Sequence, residues 1–285
     1  MNKLESLLTA FATLTAWEME KPKAYGAFHL TFTFVGLFVC VLLSYLLRHL
    51  GEKGNRRLLV GMGAFLILTE IYKQIFYTYH IGGGEYQWWI FPFQLCSVPM
   101  YLCVIAPFVK SERVRRGMYA FMTTFNLLGG LMAFIEPSGI VHEYWTLTLH
   151  AFFWHMSLVF VGFYLIASDR GATSLADYRG GVLSFLALAA IAFCINFLVQ
   201  TFVGEHINMF FVGPGESSLV VFKQISRAIG WYFSTALYLP AVCLGAFVVF
   251  LPVYLYKKKR KETVQKTAET TETTEISEKV GTRVS

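Results

Sequence analysis

The sequence predicts an all-α polytopic membrane protein: a seven-transmembrane-helix bundle with its N-terminus outside and its C-terminus cytoplasmic. Three observations predict this. Of 285 residues, 55% are hydrophobic and only 15% are charged, against about 25% charged in an ordinary soluble domain. Seven stretches reach the ~20 mainly apolar residues that a spanning helix needs. Lysine and arginine gather in alternate connections between those stretches, as basic residues retained on the cytoplasmic side do. The same composition argues against a soluble globule, whose surface cannot be covered with so few polar groups. The net charge of +6, from 24 Lys and Arg against 18 Asp and Glu, therefore reads as topology and not as a nucleic-acid surface. All five cysteines, Cys40, Cys96, Cys103, Cys194 and Cys243, fall in apolar runs and form no CxxC metal motif or secreted disulfide framework.

Taken in order, residues 1–24 carry Leu4, Leu7, Leu8, Phe11, Leu14 and Trp17 at helical spacing. Glu5 and the absence of a small-residue cleavage site argue against a signal peptide, so this segment is expected to be an amphipathic helix on the membrane surface. The spans are expected at 25–47, 57–79, 88–109, 117–136, 144–167, 181–203 and 230–256. The second is the weakest, because Glu70 and Lys73 interrupt it, but removing it would break the charge alternation. Arg48, Lys53, Arg56 and Arg57 follow the first span, Lys110, Arg113, Arg115 and Arg116 the third, and Arg170 and Arg179 the fifth. The intervening connections HIGGGEYQ and EPSGIVHE hold no Lys or Arg, and the long sixth connection holds only Lys223 and Arg227. Beyond the last span, residues 257–261 are all basic and are expected to meet anionic lipid headgroups. The Thr/Glu-rich tail from about 262 is expected to be disordered.

Polar groups inside a bilayer are costly and tend to mark function. At ~1.5 Å rise per residue, Glu70, Cys96, Asn126, His150, His155 and Asn196 fall in one layer, roughly 9–16 Å below the outer surface. Five helices contribute to that layer, and the inner half holds few comparable groups. Glu70 and Lys73, three residues apart, can pair on one helix face. His150 and His155 point about 140° apart at ~100° per residue, so one of them is expected to face the centre while the other hydrogen-bonds at the rim. Each residue also has a structural role open to it. The cysteine can serve as a small packing residue, the asparagines and histidines as interhelical hydrogen bonders, and Glu70–Lys73 as a buried pair. A Cys–His pair would do defined chemistry. An imidazole takes the thiol proton, the thiolate attacks an acyl ester, and Asn126 or Asn196 could orient the oxyanion.

The stretches FHL (28–30), LTEIYKQIF (68–76), FPFQLCSVPMY (91–101), FNLLGGLMAFIEPS (125–138), HAFFWHMSLVFVGFYLI (150–166), CINFL (194–198), INMFFVGP (207–214) and GWYFSTALYLP (230–240) resemble the YwaF-type bacterial integral membrane proteins. More distantly, they resemble the animal transmembrane protein 164 lipid acyltransferases. The resemblance implies a seven-helix bundle in which a third-helix cysteine, Cys96, faces a fifth-helix histidine, His155. It also implies that this cysteine carries an acyl chain moved between phospholipids. His29, Glu70, Asn126, Asn196, Asn208 and Tyr232 match other family-like positions. Gln94 departs from the bacterial pattern, in which a histidine commonly precedes the Leu-Cys pair, and Gly230 stands where a proline-rich turn is usual.

The reading that follows is a membrane-embedded Cys/His acyltransferase or lipid hydrolase of the cell membrane. Its substrate would be a membrane phospholipid or lysophospholipid, with no cofactor, no metal and no nucleic-acid partner. The alternative is a transporter or proton-coupled channel for a small solute, using Glu70, Lys73 and the histidines as a relay. A retinal pigment is disfavoured because the seventh span holds no lysine for a Schiff base.

Overall fold

The computed structural model describes residues 2–284, with side chains described up to Thr263 and at Gln265. Ten α-helices are described: α1 (Lys3–Leu14), α2 (Ala27–Leu47), α3 (Glu52–Ile75), α4 (Val98–Ile105), α5 (Glu112–Phe121), α6 (Leu127–Ile135), α7 (Trp145–Ala167), α8 (Leu175–Phe202), α9 (Val220–Ile229) and α10 (Trp231–Val284). A π-helical turn, Phe76–Ile81, extends α3, and a second, Met122–Asn126, joins α5 to α6. The expected disorder of the tail falls mostly on residues whose side chains lie outside the described ones.

Among the described residues, six helical stretches are long and apolar enough to cross a membrane: Ala27–Leu47, Glu52–Ile81, Glu112–Ile135, Trp145–Ala167, Leu175–Phe202 and Trp231–Thr263. Each overlaps a span expected from the sequence. The expected third span, 88–109, does not form one continuous helix. It is a 3-10 turn at Trp88–Ile90, an irregular stretch at 91–97, the eight-residue α4 and a 3-10 turn at Ala106–Phe108. Proline is the physical reason. Pro92 forces Phe91 out of the helical region, to φ −46 and ψ 132. Pro99 and Pro107 sit in the opening positions of the next two helical pieces, where a missing N–H costs nothing. Irregular backbone within a membrane protein is tolerated where other elements cover it. Ser97, Val98, Pro99 and Met100 are buried accordingly.

Helix α7 is the axis of the bundle, with Phe152, Leu158, Val159, Val161, Tyr164 and Leu165 almost fully buried. Small residues let the neighbouring helices approach it closely. A Cβ on Gly130 of α6 would sit 3.1 Å from Val159, while one on Gly129 would meet open space. An aromatic ladder ties the irregular stretch to α8. Phe121 stacks on Phe125 at 5.7 Å and Phe125 on Phe185 at 4.6 Å. Phe185 then stacks on Phe210 at 6.2 Å and Phe210 on Phe93 at 5.8 Å.

Helix α1 opens on a reciprocal cap. Asn2 Oδ1 accepts from Glu5 N at 2.9 Å, and Glu5 Oε2 accepts from Asn2 N at 2.8 Å. It docks on α3 through Ala12 and the Phe11–Tyr72 edge contact, leaving Leu4, Leu7, Leu14 and Trp17 exposed. Two backbone bonds, Trp145 N to Trp17 O and Met19 N to Glu143 O, both 2.9 Å, pin the following strand-like segment to the entrance of α7.

Candidate active site

A cavity of about 230 Å³ lies where α3, the irregular stretch 91–97 and the first half of α7 meet. Lys73, Gln94, Cys96, Ser97, His150 and His155 are among its lining residues. Cys96 is half-buried and immediately precedes Ser97, the N-cap residue of α4. Cys96 therefore sits on non-helical backbone just outside the first turn of α4. The sequence reading assumed helical backbone around the cysteine, and the proline-broken geometry replaces that picture.

On α7, Leu147, His150, Ala151, Trp154 and His155 all line this cavity. Their spacing of three and four makes them one helix face. Both histidines line the same cavity, where the sequence places one facing the centre and the other at the rim. The cavity wraps the arc between them. His155 Nδ1 lies 2.7 Å from the Ala151 carbonyl oxygen. A carbonyl can only accept, so Nδ1 carries the proton and Nε2 carries the free lone pair. His150 stacks on Trp154 at 5.5 Å, and its Nε2 has no hydrogen-bond partner among the described residues.

Glu70 and Lys73 pair as expected, with Lys73 Nζ 2.9 Å from Glu70 Oε1. Glu70 is 4% exposed and stands behind the cavity wall. Gln74 Nε2 donates to Glu70 Oε1 at 2.6 Å and to the Ile90 carbonyl at 2.8 Å, tethering α3 to the turn that enters the irregular stretch. Lys73 and Glu70 both act electrostatically on the Cys96 thiol. Lys73, His155 and His142 act likewise on His150.

The rest of the expected polar layer lies elsewhere. Asn126 Nδ2 donates to the Leu158 carbonyl at 3.2 Å and the Met122 carbonyl at 3.3 Å, bonding α7 to the π-turn. Asn196 Nδ2 donates to Met209 O at 3.0 Å, and its Oδ1 accepts from Met209 N at 2.7 Å. Neither asparagine lines the cavity, so neither is placed to orient an oxyanion there. Asn208 Oδ1 accepts from Gly213 N at 2.8 Å within the same loop. His29 is buried against Phe152, its Nδ1 accepting from Tyr25 N at 3.2 Å. Tyr232 is 69% exposed at the start of α10.

Trp154 and His142 are among the lining residues that residue type and depth do not single out in the sequence. Trp154 donates its indole N–H to the Cys96 carbonyl at 3.1 Å while stacking on His150. Its place at i−1 of His155, on the face shared with His150, was the available signal. His142, in the α6–α7 connection, lines the rim. Burial and the Lys21 ammonium hold its imidazole below the usual range, so it is neutral at neutral pH. Among the described residues no group of three or more His, Cys, Asp or Glu could hold a metal ion.

No curated protein and no solved structure matches this chain. The model of one family, described as the TMEM164 family, matches residues 24–251, from the entrance of α2 to the apolar part of α10. That match spans every element of the cavity, and this multi-pass helical membrane protein belongs to the TMEM164 family.

Proposed function

We propose that the protein is a membrane-embedded Cys/His acyltransferase, or lipid hydrolase, that acts on phospholipid acyl esters through a thioester at Cys96. One observation carries the reading: Cys96 and His155 line one cavity, and the His155 tautomer leaves Nε2 as the basic nitrogen. In the first half-reaction His155 Nε2 takes the thiol proton. The sulfur attacks the ester carbonyl, and the tetrahedral intermediate expels the lysophospholipid alkoxide, which recovers the proton from His155. In the second, an acceptor hydroxyl gives its proton to His155 and attacks the thioester, and the departing thiolate is reprotonated. A second lipid as acceptor gives a transferase, and water gives a hydrolase.

The oxyanion needs a donor, and Lys73 is the cation of the cavity wall. Glu70 and Gln74 hold Lys73 and the entering turn in register. Trp154 fixes the carbonyl of the nucleophile itself. The finer likeness to the YwaF-type bacterial proteins, the N-outside orientation and residence in the cell membrane belong to the same reading. They rest on the motifs and the basic-residue alternation.

The test is chemical. The full-length protein is incubated with a phospholipid carrying a labelled acyl chain and quenched in acid, and its Cys96 peptide is weighed. An acyl adduct labile to hydroxylamine is expected in wild type and absent from Cys96→Ala. His155→Ala is expected to acylate about 10²–10⁴-fold more slowly, the range for loss of a general base. Lipid turnover unchanged in Cys96→Ala would sink the assignment.

A further inference from the structure

A second polar cavity, of about 510 Å³, lies at the opposite end of the bundle, between the starts of α5 and α8. Topology sets its side. α7 begins, with its histidines, where α6 ends, whereas α5 and α8 both begin at the other face. Arg113, Arg116, Asp177, Arg179 and Leu183 are among its lining residues, so the charged wall carries a net +2.

The three arginines are not equivalent. Arg116 forms a two-pronged pair with Asp177, both contacts 2.6 Å. Asp177 also accepts from the backbone N–H groups of Thr173 and Ser174, at 3.1 Å and 3.0 Å. That pair is structural, locking the entrance of α8 to α5. Arg113 and Arg179 are exposed, and neither has an ion-pair or hydrogen-bond partner among the described residues. The helices touch just beyond, where a Cβ on Gly117 would lie 3.2 Å from the Gly180 carbonyl. Two helix N-termini therefore open onto one basic cavity, and their dipoles add to its positive potential.

We propose that this cavity binds the phosphate headgroup of an anionic phospholipid. Guanidinium forks match phosphate oxygens in planar, two-point geometry. The cavity sits where two spanning helices begin, the level at which headgroups lie, and basic pockets between such helices suit anionic lipids. Its span-ward wall is Leu183, 61% exposed, an apolar surface along which an acyl chain lies once the phosphate is held. A free phosphate would use the arginines but gain nothing from Leu183. The site shares no residue with the Cys96 cavity and stands apart from the acyl-transfer reading.

The test uses the full-length protein, delipidated in detergent and titrated with phosphatidylglycerol, phosphatidylcholine or inorganic phosphate, with native mass spectrometry counting what is bound. Wild type is expected to prefer phosphatidylglycerol. R113Q/R179Q is expected to weaken that lipid roughly 30-fold, from about one basic contact's worth per arginine, and to leave phosphatidylcholine unchanged. R113K/R179K keeps the charge but loses the two-point fork, and is expected to bind between wild type and R113Q/R179Q. Each single variant, R113Q or R179Q, is expected to lose about fivefold, which keeps the proposal testable should the double variant misfold. Equal retention of the two lipids, or undiminished binding in the glutamine variants, would overturn the proposal. So would inorganic phosphate binding as tightly as the lipid, which would make this a free-phosphate site.

Discussion

At the scale of single residues, Trp154 connects the two halves of the cavity chemistry. Its N–H holds the Cys96 carbonyl and its ring carries His150. In Trp154→Phe the ring face survives, but the donor is lost and a carbonyl is left unpaired, at a cost of about 1–3 kcal/mol. Acylation of Cys96 is expected to slow by about tenfold, because small displacements of a reacting atom are amplified in rate. Stopped-time mass spectrometry of the acyl-enzyme reads this. An unchanged acylation rate would assign the bond to folding alone. His142 makes a pH prediction. Its folded-state value lies below the ordinary 6.5. The unfolded chain therefore binds the proton first, and the stability that neutral His142 contributes is present above 6.5 and lost as pH falls below it. The thermal midpoint of the detergent-solubilised protein is expected to drop on acidification from pH 7 toward pH 5. His142→Gln should flatten that slope. At this scale a residue count carries depth but not azimuth. Counting residues along each span put Cys96, both histidines and both asparagines in one layer. The same count could not tell that Asn126 sits in a π-turn bonded to the α7 backbone.

At the scale of elements, the proline-broken passage from 88 to 109 determines what Cys96 can do. A continuous helix would commit every nearby backbone donor to the ladder. The break instead sets Cys96 at the threshold of α4. Pro92, Pro99 and Pro107 were legible in the sequence, but a criterion of length and apolarity counts them as neutral members of a span. The same criterion recovered the other six helical stretches, where periodicity and length agree with the backbone. Short α4 is held against α3 at Gly63, where a Cβ would meet Val104 Cγ2 at 2.5 Å and the Met100 carbonyl at 3.0 Å. Gly63→Val is therefore expected to push α4 off α3, to cost about 1–3 kcal/mol by overpacking and to depress Cys96 acylation with it. Gly61→Ala, on the same helix with open space around its Cβ, is the control. It is expected to leave acylation unchanged and to gain up to about 1 kcal/mol of helix stability. Equal behaviour of the two variants would detach α4 packing from the cavity.

At the scale of the whole molecule, Cys96 is positioned from two directions: by α3 and α7 directly, and by α8 through a chain of contacts outside the cavity. Asn196 clasps both backbone groups of Met209. The next residue, Phe210, is held in the left-handed region at φ 56, an uncommon setting for a bulky side chain that persists where its surroundings over-determine it. In that setting its ring stacks between Phe185 of α8 and Phe93 of the irregular stretch, three residues before Cys96. The sequence marked Asn196 as a polar group of the right depth. That it acts on a loop thirteen residues away, and not on the cavity, depends on the return of chain 204–213 over α8, which no periodicity encodes. Asn196→Leu removes both bonds and leaves the Met209 N–H buried without a partner, at about 1–3 kcal/mol, while the Met209 carbonyl keeps only the 3.3 Å bond from Val212 N. If the aromatic contact carries position from α8 to Cys96, this variant lowers the maximal rate of Cys96 acylation although Asn196 lines no part of the cavity. The pH dependence of that rate should stay where wild type has it, because His155 and Lys73 keep their surroundings. Phe93→Leu, which removes the receiving ring and leaves the Asn196 clasp intact, is expected to lower the rate in the same way with a smaller loss of stability. A pH profile displaced in Asn196→Leu would instead mean that the electrostatics of the cavity had changed. Full acylation in both variants would mean that α3 and α7 alone position Cys96.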